Sequence, residues 1–276
     1  MAQADQQPRG RSGPRDLTGR LRAALGALTD VLNFLGGVTR LAGQTARGAL
    51  RRPFPLSELI RQLDAIGVQS LSIAVLTAVF SSMVMTIQFA VQMARFGAKE
   101  YVSNVVSLSL VRELGPALTA LMVGGRVGAG IAAEIGAMNV TEQVAAMRSM
   151  GADPVRKLVL PRVLAATLGV PLLTVLADVL GVTGAMVVAA LDSDVNMTHF
   201  YHSTLSAVAL SDFLSGLAKS VFFGFSISLI ACYQGLRTRG GTEGVGRATT
   251  QTVVITSIVT LISDFVLTKL LLEFGL

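Results

Sequence analysis

The sequence predicts an all-α polytopic membrane protein with five transmembrane helices, and three observations support this fold class. Of the 276 residues, 51% are hydrophobic and only 14% are charged. The mean hydropathy of +0.62 is too high for a soluble domain of ordinary composition. Residues 65–94 contain no charged side chain, and about 20 apolar residues are enough to cross the hydrocarbon core of a bilayer.

Five apolar segments alternate with short polar ones along the chain. The predicted spans are residues 65–94, 102–133, 163–191, 213–236 and 248–272. Pro171 lies inside the third span, where its missing N–H is expected to bend or tilt the helix. Residues 192–212 and the glycine-rich residues 237–247 are predicted as loops on opposite sides of the membrane. Residues 65–276 therefore form one transmembrane domain.

The segment before the first span divides into two parts. Residues 1–16 are predicted to be a disordered basic tail, and residues 17–64 an interfacial amphipathic helix with a linker. Leucines spaced four, three, four and three apart fall on one helical face: Leu21, Leu25, Leu28, Leu32 and Leu35. A helix packed on a soluble partner, or on the spans themselves, has the same pattern. Prolines and arginines at residues 51–55 are predicted to break the chain before the first span.

Basic residues are distributed unevenly between the polar segments. Ten arginines precede the first span, four basic residues lie in residues 135–162, and three lie in residues 237–247. The turn on the other side carries only Arg95 and Lys99. The positive-inside rule then places the N-terminus in the cytoplasm and the C-terminus outside. This placement explains the net charge of +6 better than nucleic-acid binding does.

Charged side chains also lie within or close to the apolar spans, three of each sign. They are Arg112, Glu113, Arg126, Asp178, Lys219 and Asp264. An ion at the bilayer centre costs about 2.5–3.5 kcal/mol on insertion scales, so each is expected to face the bundle interior, a partner or water. Structural pairing between helices is predicted for Arg126 and Asp178 as readily as a functional role. Arg112, Glu113 and Lys219 lie toward the outer half of their spans, where a cation could hold and release an anionic headgroup.

Other motifs in the chain do not indicate catalysis or metal binding. Residues 241–248 have the glycine spacing of a phosphate loop but lack its lysine and its metal-binding hydroxyl. His199 and His202 are three residues apart, but convincing further ligands are missing, so a solvated loop is favoured over a metal site. Cys232 is the single cysteine, which excludes an intrachain disulfide.

A polar segment between the second and third spans predicts a short cytoplasmic helix over about residues 139–152. The sequence Thr141-Glu142-Gln143 offers an N-cap and an acid in the first turn. Gly151 is placed to end the helix before Asp153-Pro154. A helix joined directly to two spans can transmit a push from a soluble protein, although a helix resting on the membrane surface would have the same pattern.

Several motifs, in this order, resemble those of the MlaE/YrbE family, the permeases of lipid-transporting ABC systems that work with MCE proteins. The segments that carry the resemblance are Arg112-Glu113-Leu114-Gly115-Pro116, Ala133-Glu134-Ile135-Gly136, Thr141-Glu142-Gln143, Asp153-Pro154, Pro161-Arg162, Gly246-Arg247-Ala248-Thr249-Thr250 and Asp264-Phe265-Val266-Leu267-Thr268. The similarity extends over about residues 17–276.

The resemblance implies a homodimer in a bacterial inner membrane that moves phospholipid between this membrane and the outer envelope, supporting outer-membrane lipid asymmetry. Each subunit would bind a cytoplasmic ABC ATPase, and the ATPase would bind ATP and Mg²⁺. No cofactor, metal or catalytic residue is therefore expected in this chain. A hexamer of periplasmic MCE protein would lie above the dimer, and a STAS-domain protein would bind the ATPase.

The resemblance also implies roles for individual residues. The residues expected to line a phospholipid cavity at the dimer axis are Gln88, Phe96, Arg112, Glu113, Lys219 and Asp264. Those expected to couple the permease to the ATPase are Glu134, Glu142, Arg148, Gly151, Asp153 and Pro154. Phe96 replaces the tyrosine of better-known relatives, so no hydroxyl contact is expected there.

Two other classes of function are compatible with the sequence. In an ion-coupled secondary transporter, Asp178, Asp264 and Lys219 would form a relay, and transport would need no ATPase. A non-transporting membrane anchor of an envelope complex would bind MCE protein and hold no lipid.

Overall fold

The structure is a computed structural model that describes residues 15–50, 56–192 and 195–273, with the side chains of these residues except 15–25, 27 and 28. Within these ranges the chain is almost entirely helical and contains no strand, which confirms the predicted fold class. The predicted tail before residue 15 and the predicted break at residues 51–55 lie outside the described residues, as do the side chains of Leu21, Leu25 and Leu28.

Eleven α-helices follow one another in the described ranges. They are α1 (Arg15–Ala49), α2 (Leu56–Ile66), α3 (Leu71–Ala94), α4 (Val102–Ser109), α5 (Gly115–Val123), α6 (Ala129–Val140), α7 (Gln143–Ser149), α8 (Leu160–Asp192), α9 (Met197–Ala207), α10 (Leu210–Arg237) and α11 (Gly241–Glu273). Short 3-10 turns occupy Val68–Ser70 and Lys99–Tyr101. Single π-helical turns occupy Leu110–Leu114, Gly124–Gly128 and Val155–Val159.

Five helical segments of the described chain are long and apolar enough to cross a membrane, which confirms the five predicted crossings. We call them spans one to five: Leu56–Ala94, Lys99–Val140, Val155–Asp192, Leu210–Arg237 and Gly241–Glu273. Each contains one predicted apolar segment and extends beyond it, because polar residues at the membrane boundary continue the helical hydrogen bonding.

Two predicted loops are wrong in their extent. The glycine-rich residues 237–247 were expected to form a loop, but α11 begins at Gly241 and leaves a connection of only residues 238–240. Left-handed backbone at Gly240 and Gly241 makes the turn, after which the remaining glycines are helical. In residues 192–212, α9 forms with Asn196 as its N-cap, since the Asn196 side-chain oxygen accepts from the Thr198 N–H at 2.8 Å.

Pro171 lies inside an uninterrupted α8. A proline in a helix interior removes one backbone donor, but a membrane helix held by neighbouring helices tolerates this loss. The proline therefore does not end span three, which keeps its full length of 38 residues.

Spans three and four form the centre of the bundle. We compared how much of the most apolar 18-residue stretch of each span is buried inside the structure. The buried share is 56% in span three and 61% in span four, but 28% in span one and 11% in span five. Glycines permit the closest approaches: Gly224 of α10 lies against the Ala166 carbonyl of α8, and Gly216 against the Val111 carbonyl of span two. Span five thus leaves most of its apolar surface uncovered by its own subunit.

The helix α1 is longer than predicted and packs on the bundle through its C-terminal half. The Phe34 ring meets the Tyr233 ring edge-on at 5.3 Å, and the Arg237 guanidinium lies 5.3 Å from the centre of the Tyr233 ring. Leu32 and Leu35 remain exposed, so the apolar face predicted for this helix is only partly covered by the spans. This arrangement combines packing on the spans, one of the alternatives left open, with an uncovered apolar face that suits a membrane surface.

A single methyl group at Gly224 tests the central packing. The Cβ of Gly224→Ala would overlap the Ala166 carbonyl, so spans three and four would have to separate. We expect a loss of about 1–3 kcal/mol of stability, measured as a lower midpoint of thermal unfolding in detergent. Gly43→Ala makes the same change on an exposed face of α1 with nothing within 4 Å, and should leave the midpoint unchanged or slightly higher. An unchanged midpoint for Gly224→Ala would contradict the packing.

Candidate functional site

A buried lysine joins spans two, four and five. The Lys219 Nζ donates to Glu113 Oε2 at 2.7 Å, to Thr268 Oγ1 at 2.7 Å and to the backbone carbonyl of Arg112 at 3.0 Å. Asp264 Oδ1 lies 3.8 Å from the same nitrogen. We call Glu113, Lys219, Asp264 and Thr268 the Lys219 cluster. It unites three of the residues predicted to bind substrate.

Sequence and backbone geometry explain why the Arg112 carbonyl is available to Lys219. In a regular helix that carbonyl would accept from the N–H of residue 116, but Pro116 has none. The surrounding turn is π-helical, with the Gly115 N–H bonded to the Leu110 carbonyl five residues back. The lysine ammonium thus satisfies a carbonyl that the helix leaves without its usual donor.

A second ion pair lies beside this cluster. Arg112 Nη1 is 3.1 Å from Asp212 Oδ1, which joins span two to the first turn of α10. The other oxygen of Asp212 accepts from the Ala209 N–H at 2.9 Å, so this carboxylate also caps α10. Two adjacent residues of span two therefore form ion pairs with span four. Arg112 pairs with Asp212, and Glu113 pairs with Lys219.

Exposure separates the groups that can meet a ligand from those that support them. The Lys219 side chain is 2% exposed and donates three hydrogen bonds. The Glu113 side chain is 35% exposed and the Arg112 side chain is 23% exposed. A headgroup reaching this surface would meet Glu113 and Arg112 first. In this geometry Lys219 is a positioning residue behind them.

The structure does not bring Gln88 and Phe96 into this cluster. Both are exposed on span one and the turn after it, and Gln88 lines a separate shallow cavity of about 350 Å³ with Ile87 and Gln92. Span one packs mainly on α8 within the subunit.

The ion pairs of the described residues do not include Arg126 or Asp178, and the structural pairing predicted for these two residues stays a prediction. Arg126 binds neutral groups in the 3-10 turn Val68–Ser70 of span one, namely Ser70 Oγ at 2.7 Å and Gln69 Oε1 at 3.3 Å. It therefore joins spans one and two by hydrogen bonds. The second π turn, Gly124–Gly128, carries this arginine.

Asp178 is buried on span three against Gly115, and its Oδ1 has no hydrogen-bond partner in the described part of the chain. The ion pairs of Lys219 with Glu113 and Asp264 do not include it. Among the described residues, no hydrogen bond or ion pair links Asp178 to Asp264 or Lys219.

The short helix α7 lies between spans two and three, as predicted, but it starts differently. Thr141 was expected to cap the helix, yet its hydroxyl donates to the Ala137 carbonyl at 2.9 Å in the preceding helix. The N-cap is Glu142, whose backbone is left-handed with a φ of 59° and whose side chain makes no capping bond. This conformation lies at the connection between α6 and α7 and is uncommon for a residue other than glycine.

The end of α7 agrees with the prediction for Gly151. With a φ of +76°, Gly151 donates its N–H to the Arg148 carbonyl at 3.0 Å, and Ala152 donates to the Met147 carbonyl at 2.9 Å. These two bonds are those of a Schellman motif. Asp153 Oδ1 then accepts from the Val155 N–H at 2.9 Å and starts span three.

Little of α7 is buried by its own subunit. Val144 is the one buried residue of this helix, whereas Glu142, Arg148 and Met150 are exposed. The chain just before α7 is nevertheless held by a hydrogen bond at the end of span four. Asn139 donates to the Thr238 carbonyl at 3.0 Å, which ties the end of span two to the end of span four.

A buried arginine braces the base of spans two and three. Arg162 is 1% exposed, pairs with Glu134 at 2.8 Å and donates to the Leu158 carbonyl at 2.7 Å. Of the residues predicted to couple the permease to an ATPase, Glu134 is thus the one that connects both spans flanking α7. Pro154 is buried at the start of span three.

Sequence reasoning did not identify several of these supporting residues. The sequence predicts Asp212 at the end of a loop. Arg162 and Thr268 belong to motifs that carry the family resemblance, but no contact is predicted for either residue. The spacing of Asp264 and Thr268, four residues apart, could have placed both on one helical face. The contacts of Asp212 and Arg162 with other spans had no local signal.

Comparison with known proteins agrees with this architecture. Residues 59–270 match a family model described as Permease MlaE. The chain is 47% identical over 221 residues to a probable ABC transporter permease protein of Rickettsia felis, covering 80% of this chain and 85% of the relative.

Two relatives carry more specific names. Over 252 residues the chain is 37% identical to the intermembrane phospholipid transport system permease protein MlaE of Haemophilus influenzae, covering 89% of this chain and 95% of the relative. It is 35% identical over 229 residues to the chloroplastic protein TRIGALACTOSYLDIACYLGLYCEROL 1 of Arabidopsis thaliana, covering 83% and 65% of the two chains. With a family match over most of its length and five membrane-spanning helices, the chain belongs to the MlaE permease family.

Proposed function

We propose that this protein is the membrane-spanning subunit of an ABC-type phospholipid transporter in a bacterial inner membrane. The observation that carries this proposal is the Lys219 cluster, in which ions from three spans are held together and Glu113 stays partly open. Family membership and the name of the Haemophilus influenzae relative support phospholipid as the substrate. Transport would run between the inner membrane and the outer envelope.

The partly exposed charges would contact the lipid headgroup. Arg112 can bind a phosphate oxygen, while the adjacent Glu113 limits how tightly an anion is held. Lys219, Thr268 and Asp264 would keep Glu113 in place during this contact. The chain would supply binding and orientation only, and no covalent step is assigned to it.

Two copies of the chain would complete the cavity. Span five exposes Ile258, Leu261 and Phe265, and only 11% of its most apolar window is buried in the subunit. A homodimer that covers part of this surface would bring span one, with Gln88 and Phe96, to the same central cavity. The charge asymmetry supports a cytoplasmic N-terminus and a periplasmic C-terminus.

The exposed surface of α7 would bind the partner that supplies energy. A cytoplasmic ATPase holding ATP and Mg²⁺ would dock on α7, a periplasmic MCE hexamer would receive the lipid, and a STAS-domain protein would bind the ATPase. Because Glu134 and Arg162 tie the flanking spans together, movement of α7 would displace both. Span two would pass this displacement to the π turn that carries Glu113.

Charge reversal at Glu113 tests the headgroup site. We expect Glu113→Lys to abolish phospholipid transfer in reconstituted vesicles, because a second cation would face Lys219 and the partly open acid would be lost. The assembled complex should still form, as judged by co-purification of the ATPase. Glu100→Lys, on the exposed turn before α4, makes the same change and should transfer lipid normally. Loss of assembly with Glu113→Lys would instead assign a purely structural role to this pair.

Removal of the buried ammonium tests the positioning role of Lys219. Lys219→Met leaves the Glu113 and Asp264 carboxylates without their shared cation, which should cost about 3–5 kcal/mol of stability and most of the transport. The exchange variant Glu113→Lys/Lys219→Glu should recover part of the thermal stability but not the transport. Lys99→Met, at an exposed site, serves as the control. Normal stability of Lys219→Met would contradict the cluster.

A matched pair of glycines tests coupling through α7. Gly151 and Gly97 both have left-handed backbone, with φ of +76° and +67°, and an added Cβ would meet nothing within 4 Å at either position. Alanine at either site should therefore introduce similar strain, of about 1 kcal/mol. Only Gly151→Ala distorts the end of α7, so only this variant should raise the number of ATP molecules hydrolysed per lipid moved. Equal effects of both variants would argue against docking on α7.

A further inference from the structure

A basic cavity lies beside α7, apart from the Lys219 cluster. It has a volume of about 350 Å³ and is lined by α1, α7 and the first turn of span three. Each of these three segments contributes one arginine: Arg47 from α1, Arg148 from α7 and Arg156 from span three. Three cations from separate segments therefore converge on one small space.

Most of the charged groups that line the cavity are basic. Asp153 is the carboxylate among the lining residues, and one of its oxygens accepts from the Val155 N–H at 2.9 Å. Three guanidinium groups and one carboxylate therefore line the cavity. Guanidinium groups bind phosphate oxygens through paired N–H donors, so a phosphate group suits this set of donors.

The wall formed by α1 is closely packed against span three. Gly48 is buried, and a Cβ at this position would lie 3.3 Å from the Cγ of Arg156. Close contact between α1 and the π turn Val155–Val159 therefore depends on the missing side chain. The cavity therefore lies where α1 packs against the first turn of span three.

The position of the cavity matches the depth of lipid headgroups. Val155 lines it and is also the first residue of span three, in the polar turn that precedes the apolar segment 163–191. On α1, Val31, Leu32 and Leu35 are exposed apolar residues on the same helix as Arg47. A helix with this distribution lies in the interfacial layer, where the phosphates of the same leaflet are found.

We propose that this cavity binds a phosphate group, carried either by an anionic phospholipid of the cytoplasmic leaflet or by a small soluble phosphate. The bound phosphate neutralises Arg47, Arg148 and Arg156 together and thereby links α1 to α7 and to span three. This site is separate from the transported lipid and does not depend on the direction or the substrate of transport. An acidic side chain of a docked protein is the competing occupant.

The test measures lipid retention by the full-length chain without partner proteins. Delipidated protein in detergent is incubated with equal amounts of phosphatidylglycerol and phosphatidylcholine, and bound lipid is counted by native mass spectrometry. The double variant Arg47→Gln/Arg148→Gln removes two of the three cations. We expect it to lower phosphatidylglycerol affinity about tenfold or more relative to the unmodified chain, with phosphatidylcholine binding unchanged.

Two arginines outside the cavity provide the control. Arg40→Gln/Arg239→Gln removes the same charge from exposed positions and should retain phosphatidylglycerol normally. Inorganic phosphate at millimolar concentration is then added as a competitor of phosphatidylglycerol. Displacement of the lipid that requires Arg47 and Arg148 identifies a soluble phosphate as the ligand. If phosphate displaces no lipid, the ligand is the lipid headgroup. The proposal is overturned if both double variants lose lipid equally, or if the cavity variant keeps its lipid and loses only ATPase binding.

Discussion

The contacts of the buried Lys219 ammonium hold spans two, four and five together. The ammonium lies between the carboxylates of Glu113 and Asp264, a threonine hydroxyl and a carbonyl that Pro116 leaves without its helical donor. A charge with this little exposure is tolerable inside a membrane only when such partners surround it. Spans two, four and five must therefore keep their relative positions, because a shift of any one would strand an ion.

Span two contains π-helical geometry at two places. Its two π turns carry Arg112, Glu113 and Arg126, while α6, which follows the second turn, packs closely on spans four and five. A π turn holds one residue more than an α-helical turn and can shift its hydrogen bonds without unwinding the helix. Along the chain, the second of these turns lies between α7 and Glu113.

The sequence was sufficient for features that depend on local composition. Five crossings follow from apolar runs, and the end of α7 follows from Gly151, since both signals lie within a few residues. The start of α7 did not follow, because Glu142 adopts a conformation that its residue type seldom takes. Contacts such as Lys219 with Glu113, which are 106 residues apart, depend on how the spans pack. The family resemblance named Glu113, Lys219 and Asp264 together, but it did not indicate which of them contact one another.

The ordered ends of α7 bear on the thermodynamics of assembly. A seven-residue helix is too short to persist in water by itself, yet the Schellman bonds, Asp153 and the buried Val144 fix this one within the subunit. A protein that docks on it therefore has few backbone dihedrals to immobilise, and the entropic penalty of association is small. A small interface on α7 can then give adequate affinity and still allow rapid dissociation of the bound protein.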